Sequence, residues 1–173
     1  MVANDEKLWG SFIALPLKRY CAEKVLERLA PSLRKIPMQF SNPDYLHLTL
    51  AYCGWLNKKE AAQIIEELNS ISFPTRALTT GKIISLGHGG DSSYIAIEVK
   101  GCSELLDART RLSRRLFQGK VDRASNWLPH VSLGRAAANY QVSAHLADVP
   151  PFLEFDKVGL FRSVDHSERI ELE

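Results

Sequence analysis

No apolar run in this sequence approaches the roughly 20 residues that a membrane-spanning helix needs. The opening stretch, Met1-Val2-Ala3-Asn4-Asp5-Glu6-Lys7, is polar and acidic and holds no apolar signal core, which points away from secretion. Cysteine is scarce. Cys21, Cys53 and Cys102 are odd in number, far apart and without a CxxC pair, so reduced thiols in a cytoplasmic protein are expected rather than a disulfide frame. An excess of one charge is also missing: 22 Lys and Arg face 20 Asp and Glu, a net charge of +2. That is no footprint for coating duplex nucleic acid, although a small phosphate-bearing ligand or an RNA end needs only a few local cations. There is no HExxH and no converging set of His and carboxylates, so no metal or other cofactor is expected. Gly87-His88-Gly89-Gly90 is followed by no Lys-Ser/Thr and reads as a turn, not a phosphate loop.

What is present is a chain of 173 residues, 45% hydrophobic, long enough for one substantial core. Trp9 to Leu17 reads as a first strand. Val25, Leu26, Leu29, Leu33 and Ile36 recur at helical steps, with Pro31 expected to kink or shorten that helix. Asn42-Pro43-Asp44 is a turn into a strand over 45–52. Asn57 with Glu60 three places on marks a helix start, and Ala61, Ile64, Ile65 and Leu68 give its apolar stripe. Strand-like material over 73–86 and 94–100 is followed by a helix capped by Ser103, its inner face Leu105, Ala108, Leu112 and Leu116. The arginines on that helix, 109, 111, 114 and 115, read as a solvated face. A polar loop over 119–126 precedes a strand near 130–134, and 152–161 and 169–172 look like closing strands.

This order is a repeat. Phe12-Ile13-Ala14-Leu15, a helix, then His47 are matched by Tyr94-Ile95-Ala96-Ile97, a helix, then His130, with strand-to-His spacings of 35 and 36 residues. The expected architecture is therefore α+β, a single domain over 1–173 with an internal duplication. It has two pseudo-symmetric lobes, each a mostly antiparallel sheet packed on helices, with a central cleft between the sheets.

Leu46-His47-Leu48-Thr49-Leu50 and Pro129-His130-Val131-Ser132-Leu133-Gly134-Arg135 alternate aliphatics with a His and a hydroxyl, so His47/Thr49 and His130/Ser132 share the unburied face of their strands. A lone His-x-Ser/Thr is a weak signal; two copies at matching points of a repeat are a stronger one. Imidazole can take a proton from water or give one to a leaving alkoxide near neutral pH, and hydroxyls can donate hydrogen bonds to phosphate oxygens.

On these residues the chain resembles the two-histidine phosphoesterase superfamily, most closely the RNA 2',3'-cyclic phosphodiesterases also called RNA 2',5' ligases. The resemblance covers most of the chain, from Phe12-Ile13-Ala14-Leu15-Pro16-Leu17 through 43–54 to 129–135. Ser132 stands where close relatives usually carry Thr. The resemblance implies metal-independent opening of a ribose 2',3'-cyclic phosphate to a 2'-phosphate, with 2',5' joining or cleavage as a related reaction. One His activates water and the other protonates the departing 3'-oxygen; the assignment taken is His130 as base and His47 as acid. Thr49 and Ser132 hold phosphate oxygens, Arg135 adds charge for phosphate or RNA, and Trp127 is the best of three aromatics (with Trp55 and Tyr20) for stacking on a base. The expected partner is an RNA terminus or cyclic nucleotide met by a monomer, with no membrane involved. The alternative is a nucleotide-binding module using the same cleft without turnover; a weaker one is a metallohydrolase with His47 and His130 as ligands. His88, His145 and His166 read as ordinary surface residues.

Overall fold

The computed structural model describes residues 8–33, 36–87, 92–117, 127–137, 149–165 and 168–172. Three expectations lie outside these residues: the turn at 88–90, the polar loop and the three set-aside histidines at 88, 145 and 166. In order, the elements are β1 (Leu8–Pro16), α1 (Arg19–Leu33), β2 (Met38–Phe40), a 3-10 turn (Pro43–Tyr45), β3 (His47–Leu56) and α2 (Lys58–Asn69). Then come β4 (Leu78–Gly87), β5 (Ser92–Val99), α3 (Ser103–Phe117), β6 (His130–Ala137), β7 (Phe152–Leu153), β8 (Gly159–Asp165) and β9 (Glu168–Glu171).

Local chemistry accounts for most boundaries. Asn57 accepts from the Glu60 N–H at 2.9 Å while Glu60 accepts from the Asn57 N–H at 2.8 Å, so the expected capping box opens α2. Asn42 caps the short 3-10 turn by accepting from the Asp44 N–H at 3.0 Å, which delays β3 to His47. α1 runs through Pro31 and ends two residues later, because a proline in the last turn shortens a helix rather than breaking it. The closing strand expected over 152–161 splits into β7 and β8. β2 has no counterpart among the sequence expectations, since three residues are too few to carry a period.

The fold is α+β, with a nine-stranded sheet in the order β7-β4-β5-β6-β3-β1-β8-β9 and β2 lying against β6. Among the described residues every strand pairing is antiparallel. Apolar residues of α1, α2 and α3 (Leu29, Leu33, Ile64, Leu68, Leu105 and Leu112 among them) pack with Leu46, Leu48, Leu50, Val131 and Leu133 in one core. The other sheet face carries a separate small cluster of Phe12, Ala14 and Phe161. Each fully buried Leu or Ile contributes roughly 1.5–3 kcal/mol, so this face is fixed against a one-residue slip in register.

The joint between the two halves of the expected repeat is a single strand pairing. The strands form one continuous sheet, in which the two His strands meet through Leu48 opposite Val131. The pairing gives both strands hydrogen-bond partners at what would otherwise be exposed sheet edges. Outward from that joint the order is β3-β1-β8 on one side and β6-β5-β4 on the other. The registers correspond: Ala14 lies opposite Thr49 and Pro16 opposite His47, as Ala96 lies opposite Ser132 and Glu98 opposite His130.

Candidate active site

Leu48 and Val131 are both fully buried on the core side. Alternation along each strand then turns His47, Thr49, His130 and Ser132 to the opposite face. The one residue pair recorded between the two strands, Leu48 opposite Val131, lies between His47 and Thr49 on one strand and between His130 and Ser132 on the other. Both histidines therefore lie within one residue of the joint between the two strands.

Both rings are held in the same way. His47 Nδ1 donates to the Tyr45 carbonyl at 2.7 Å, and His130 Nδ1 donates to the Leu128 carbonyl at 2.8 Å, in each case two residues back along the chain. A carbonyl can only accept, so Nδ1 carries the proton in the neutral ring and Nε2 holds the lone pair. Phe12 stacks on His47 with centroids 4.9 Å apart and planes at 28°. Phe161 and Tyr52 extend this aromatic flank, at 5.8 Å and 6.4 Å from Phe12.

Each His strand also carries a bulge just past its hydroxyl. Ala14 pairs Thr49 but Ile13 pairs Ala51, leaving Leu50 as the extra residue; Ala96 pairs Ser132 but Ile95 pairs Gly134, leaving Leu133 as the extra one. The inserted residue reverses the alternation. It buries Leu50-Ala51 and Leu133-Gly134 in succession and brings Tyr52 and Arg135 out on the His-bearing face, at equivalent positions. Gly134 is required there, since a Cβ would collide with the Gln39 carbonyl oxygen of β2. Arg135 thus reaches the face where charge is useful. Tyr52, 76% exposed, is not among the residues singled out from the sequence, although the apolar doublets that break strict alternation are the signal for it.

Trp127 is half-buried against the core, and the Arg109 guanidinium carbon lies 4.4 Å from its ring centroid. Arg109 itself corrects the expected solvated face of α3: Arg111, Arg114 and Arg115 are exposed, but Arg109 is 4% exposed, with Nε donating to the Leu50 carbonyl at 3.0 Å. Tyr20 and Trp55 are exposed. The three thiols are unpaired, and burial pushes that of Cys53 up to about 12, so it stays protonated and chemically quiet. Among the described residues no group of three or more His, Cys, Asp or Glu gathers in metal-binding geometry, and no helix is long and apolar enough to cross a membrane.

With this geometry in view, comparison with known structures identifies the fold. Apo LigT of E. coli matches over 97% of this chain and 96% of its own, with 17% identity and a TM-score of 0.68. E. coli LigT complexed with 3'-AMP matches over 96% of each chain at 16% identity and a TM-score of 0.66. A Thermus thermophilus protein matches over 94% of this chain and 93% of its own at 17% identity and a TM-score of 0.54. No curated protein matches the sequence. The family model of the 2'-5' RNA ligase superfamily matches residues 22–167, and the chain belongs to that superfamily.

Proposed function

We propose that the chain is a phosphodiesterase that opens 2',3'-cyclic phosphates at RNA ends or on nucleotides, leaving a 2'-phosphate, with 2',5' RNA joining as a related reaction. The observation that carries this reading is the matched anchoring of the two rings on one sheet face, each with Nδ1 spent on a carbonyl two residues back. One neutral Nε2 removes a proton from water, and the resulting hydroxide bonds to phosphorus. The P–O3' bond breaks, and the other ring, protonated at Nε2, delivers its proton to the departing O3'. The products are a 2'-phosphate and a free 3'-hydroxyl. Thr49 and Ser132 donate hydrogen bonds to the non-bridging oxygens, where negative charge grows.

His130 is assigned as base and His47 as acid, and the equivalent anchoring lets the roles exchange in the reverse direction. Tyr52, exposed and backed by the buried Phe12 ring, gives one flank an aromatic surface suited to a base. Arg135 gives the other a cation suited to a further phosphate. Trp127, with its ring taken up by Arg109, is assigned to support rather than to stacking on substrate. The whole sequence of steps is carried by side chains and water.

Turnover of a 2',3'-cyclic mononucleotide in excess chelator tests the proposal, with products identified by mass and by which oxygen keeps the phosphorus. Loss of activity on chelation, restored by a divalent ion, would replace it with a metallohydrolase. E. coli LigT has been seen with 3'-AMP, ATP and NADP+, and such binding without any product here would favour a nucleotide-binding module instead.

A further inference from the structure

The two bulges leave two carbonyls in need of partners, since an inserted residue falls out of the hydrogen-bond ladder. In β6 the Leu133 carbonyl accepts from the main-chain N–H of Ser41 at 2.9 Å. In β3 the corresponding carbonyl, that of Leu50, is served by a side chain from α3. Arg109 gives its Nε proton to it at 3.0 Å, one residue past Thr49. The same guanidinium lies 4.4 Å from the centroid of Trp127, three residues before His130. Trp127 adjoins Leu128, whose carbonyl orients the His130 ring. One buried cation, on the helix that follows β5, therefore grips the strand carrying His47 and the lead-in to the strand carrying His130.

We propose that Arg109 is the positioning residue that sets the separation and mutual orientation of the two histidines. This rests on the reading of the paired histidines as the acid–base machinery. The chemistry explains why the residue is arginine. Guanidinium is planar, so one face can stack on an indole while Nε–H is directed in plane to a carbonyl; the lysine ammonium can do only one of these well. Arg109 is buried at 4% exposure on the core side, so it acts through where it holds the strands. Displacement of a reacting group by about 1 Å can cost a hundredfold in rate, so a strut at this point governs turnover more than binding.

The test compares Arg109→Met, Arg109→Lys and Trp127→Leu with the parent chain in two measurements. The first is kcat and KM on a 2',3'-cyclic mononucleotide, corrected for the folded fraction. The second is the ring nitrogen spectrum of 15N-histidine-labelled protein, which reports the Nδ1–H tautomer and its hydrogen bond whether or not turnover occurs. Arg109→Met is expected to lower kcat about ten- to a hundredfold with KM within about threefold, and to move the signals of both His47 and His130. Arg109→Lys recovers part of kcat by restoring a donor to the Leu50 carbonyl. Trp127→Leu moves the His130 signals and leaves those of His47 in place. Unchanged ring signals in Arg109→Met, or a loss of activity equal to the loss of folded protein, would overturn the proposal. If Arg109→Met does not fold, the Lys and Trp127 variants carry the decision. A parent chain without turnover would sink the phosphodiesterase reading alone, and the ring spectra would still decide the strut.

Discussion

Replacing each histidine by Asn and by Gln separates the two nitrogens of its ring. The Asn amide can occupy the Nδ1 position and keep the hydrogen bond to the Tyr45 or Leu128 carbonyl, but it offers nothing at Nε2. Gln reaches the Nε2 position with a group that donates a hydrogen bond and cannot exchange a proton. Nδ1 is committed to the backbone in both rings, at 2.7 Å and 2.8 Å, so the catalytic contribution resides in Nε2 and both substitutions should be severe. General acid–base groups are worth about 10²–10⁴-fold, or roughly 3–5 kcal/mol of barrier for each histidine. kcat should fall by that factor in all four single variants, while nucleotide binding falls less in the Gln variants, which keep a donor facing the phosphate. The assay is initial-rate kinetics on a 2',3'-cyclic nucleotide across pH. The parent should give a bell, and each single variant should lose one limb, because one histidine must be neutral and the other protonated. A variant that retains a tenth or more of the parent kcat, or keeps both limbs, would refute the paired mechanism for that residue.

Cys53, with its thiol pushed from 9.0 up to about 12 by burial, stays protonated in the folded chain after its unfolded counterpart has ionised. Its contribution is complete below about pH 9 and is lost as pH rises towards 12, about 1.4 kcal/mol by about pH 10. Denaturant curves for the parent and Cys53→Ala should therefore converge over that window, and parallel curves would count against the burial argument. Asn57→Ala removes the cap acceptor of α2 at a cost of about 1 kcal/mol. That is a fall in Tm of about 2–4 °C for a chain of this size, read by thermal melting; an unchanged melt would mean the capping box is not formed. Gly134→Ala drives a Cβ into the Gln39 carbonyl and the Phe40 backbone, so β2 must shift, at about 1–3 kcal/mol. Melting and kcat should fall together, and an unaltered Tm would show that β2 does not press on this position.

Much of the site is legible in advance because strand alternation is a local property. His47 and Thr49 must share a face once Leu46, Leu48 and Leu50 are buried, and the same holds for His130 and Ser132. The α2 capping box follows from two side chains three residues apart. The bulges are harder to see: their trace is only a buried doublet in each motif, and a bulge needs a partner strand before it has meaning. Arg109 escapes a sequence reading for a related reason. A helical wheel shows an arginine among arginines, and nothing in the wheel reveals a carbonyl from residue 50 waiting for a donor.

Sequence by itself determined which side chains are available and which face of each strand carries them, through periods of two and 3.6 and through two His-x-Ser/Thr segments that each follow a strand and a helix. Tertiary structure alone decided that the two His strands are neighbours in one sheet and meet at Leu48 and Val131, with a buried guanidinium bracing them from behind. Pairing between strands so distant along the chain depends on the whole core and on the hydrogen-bond needs of sheet edges, and no local window of residues encodes that.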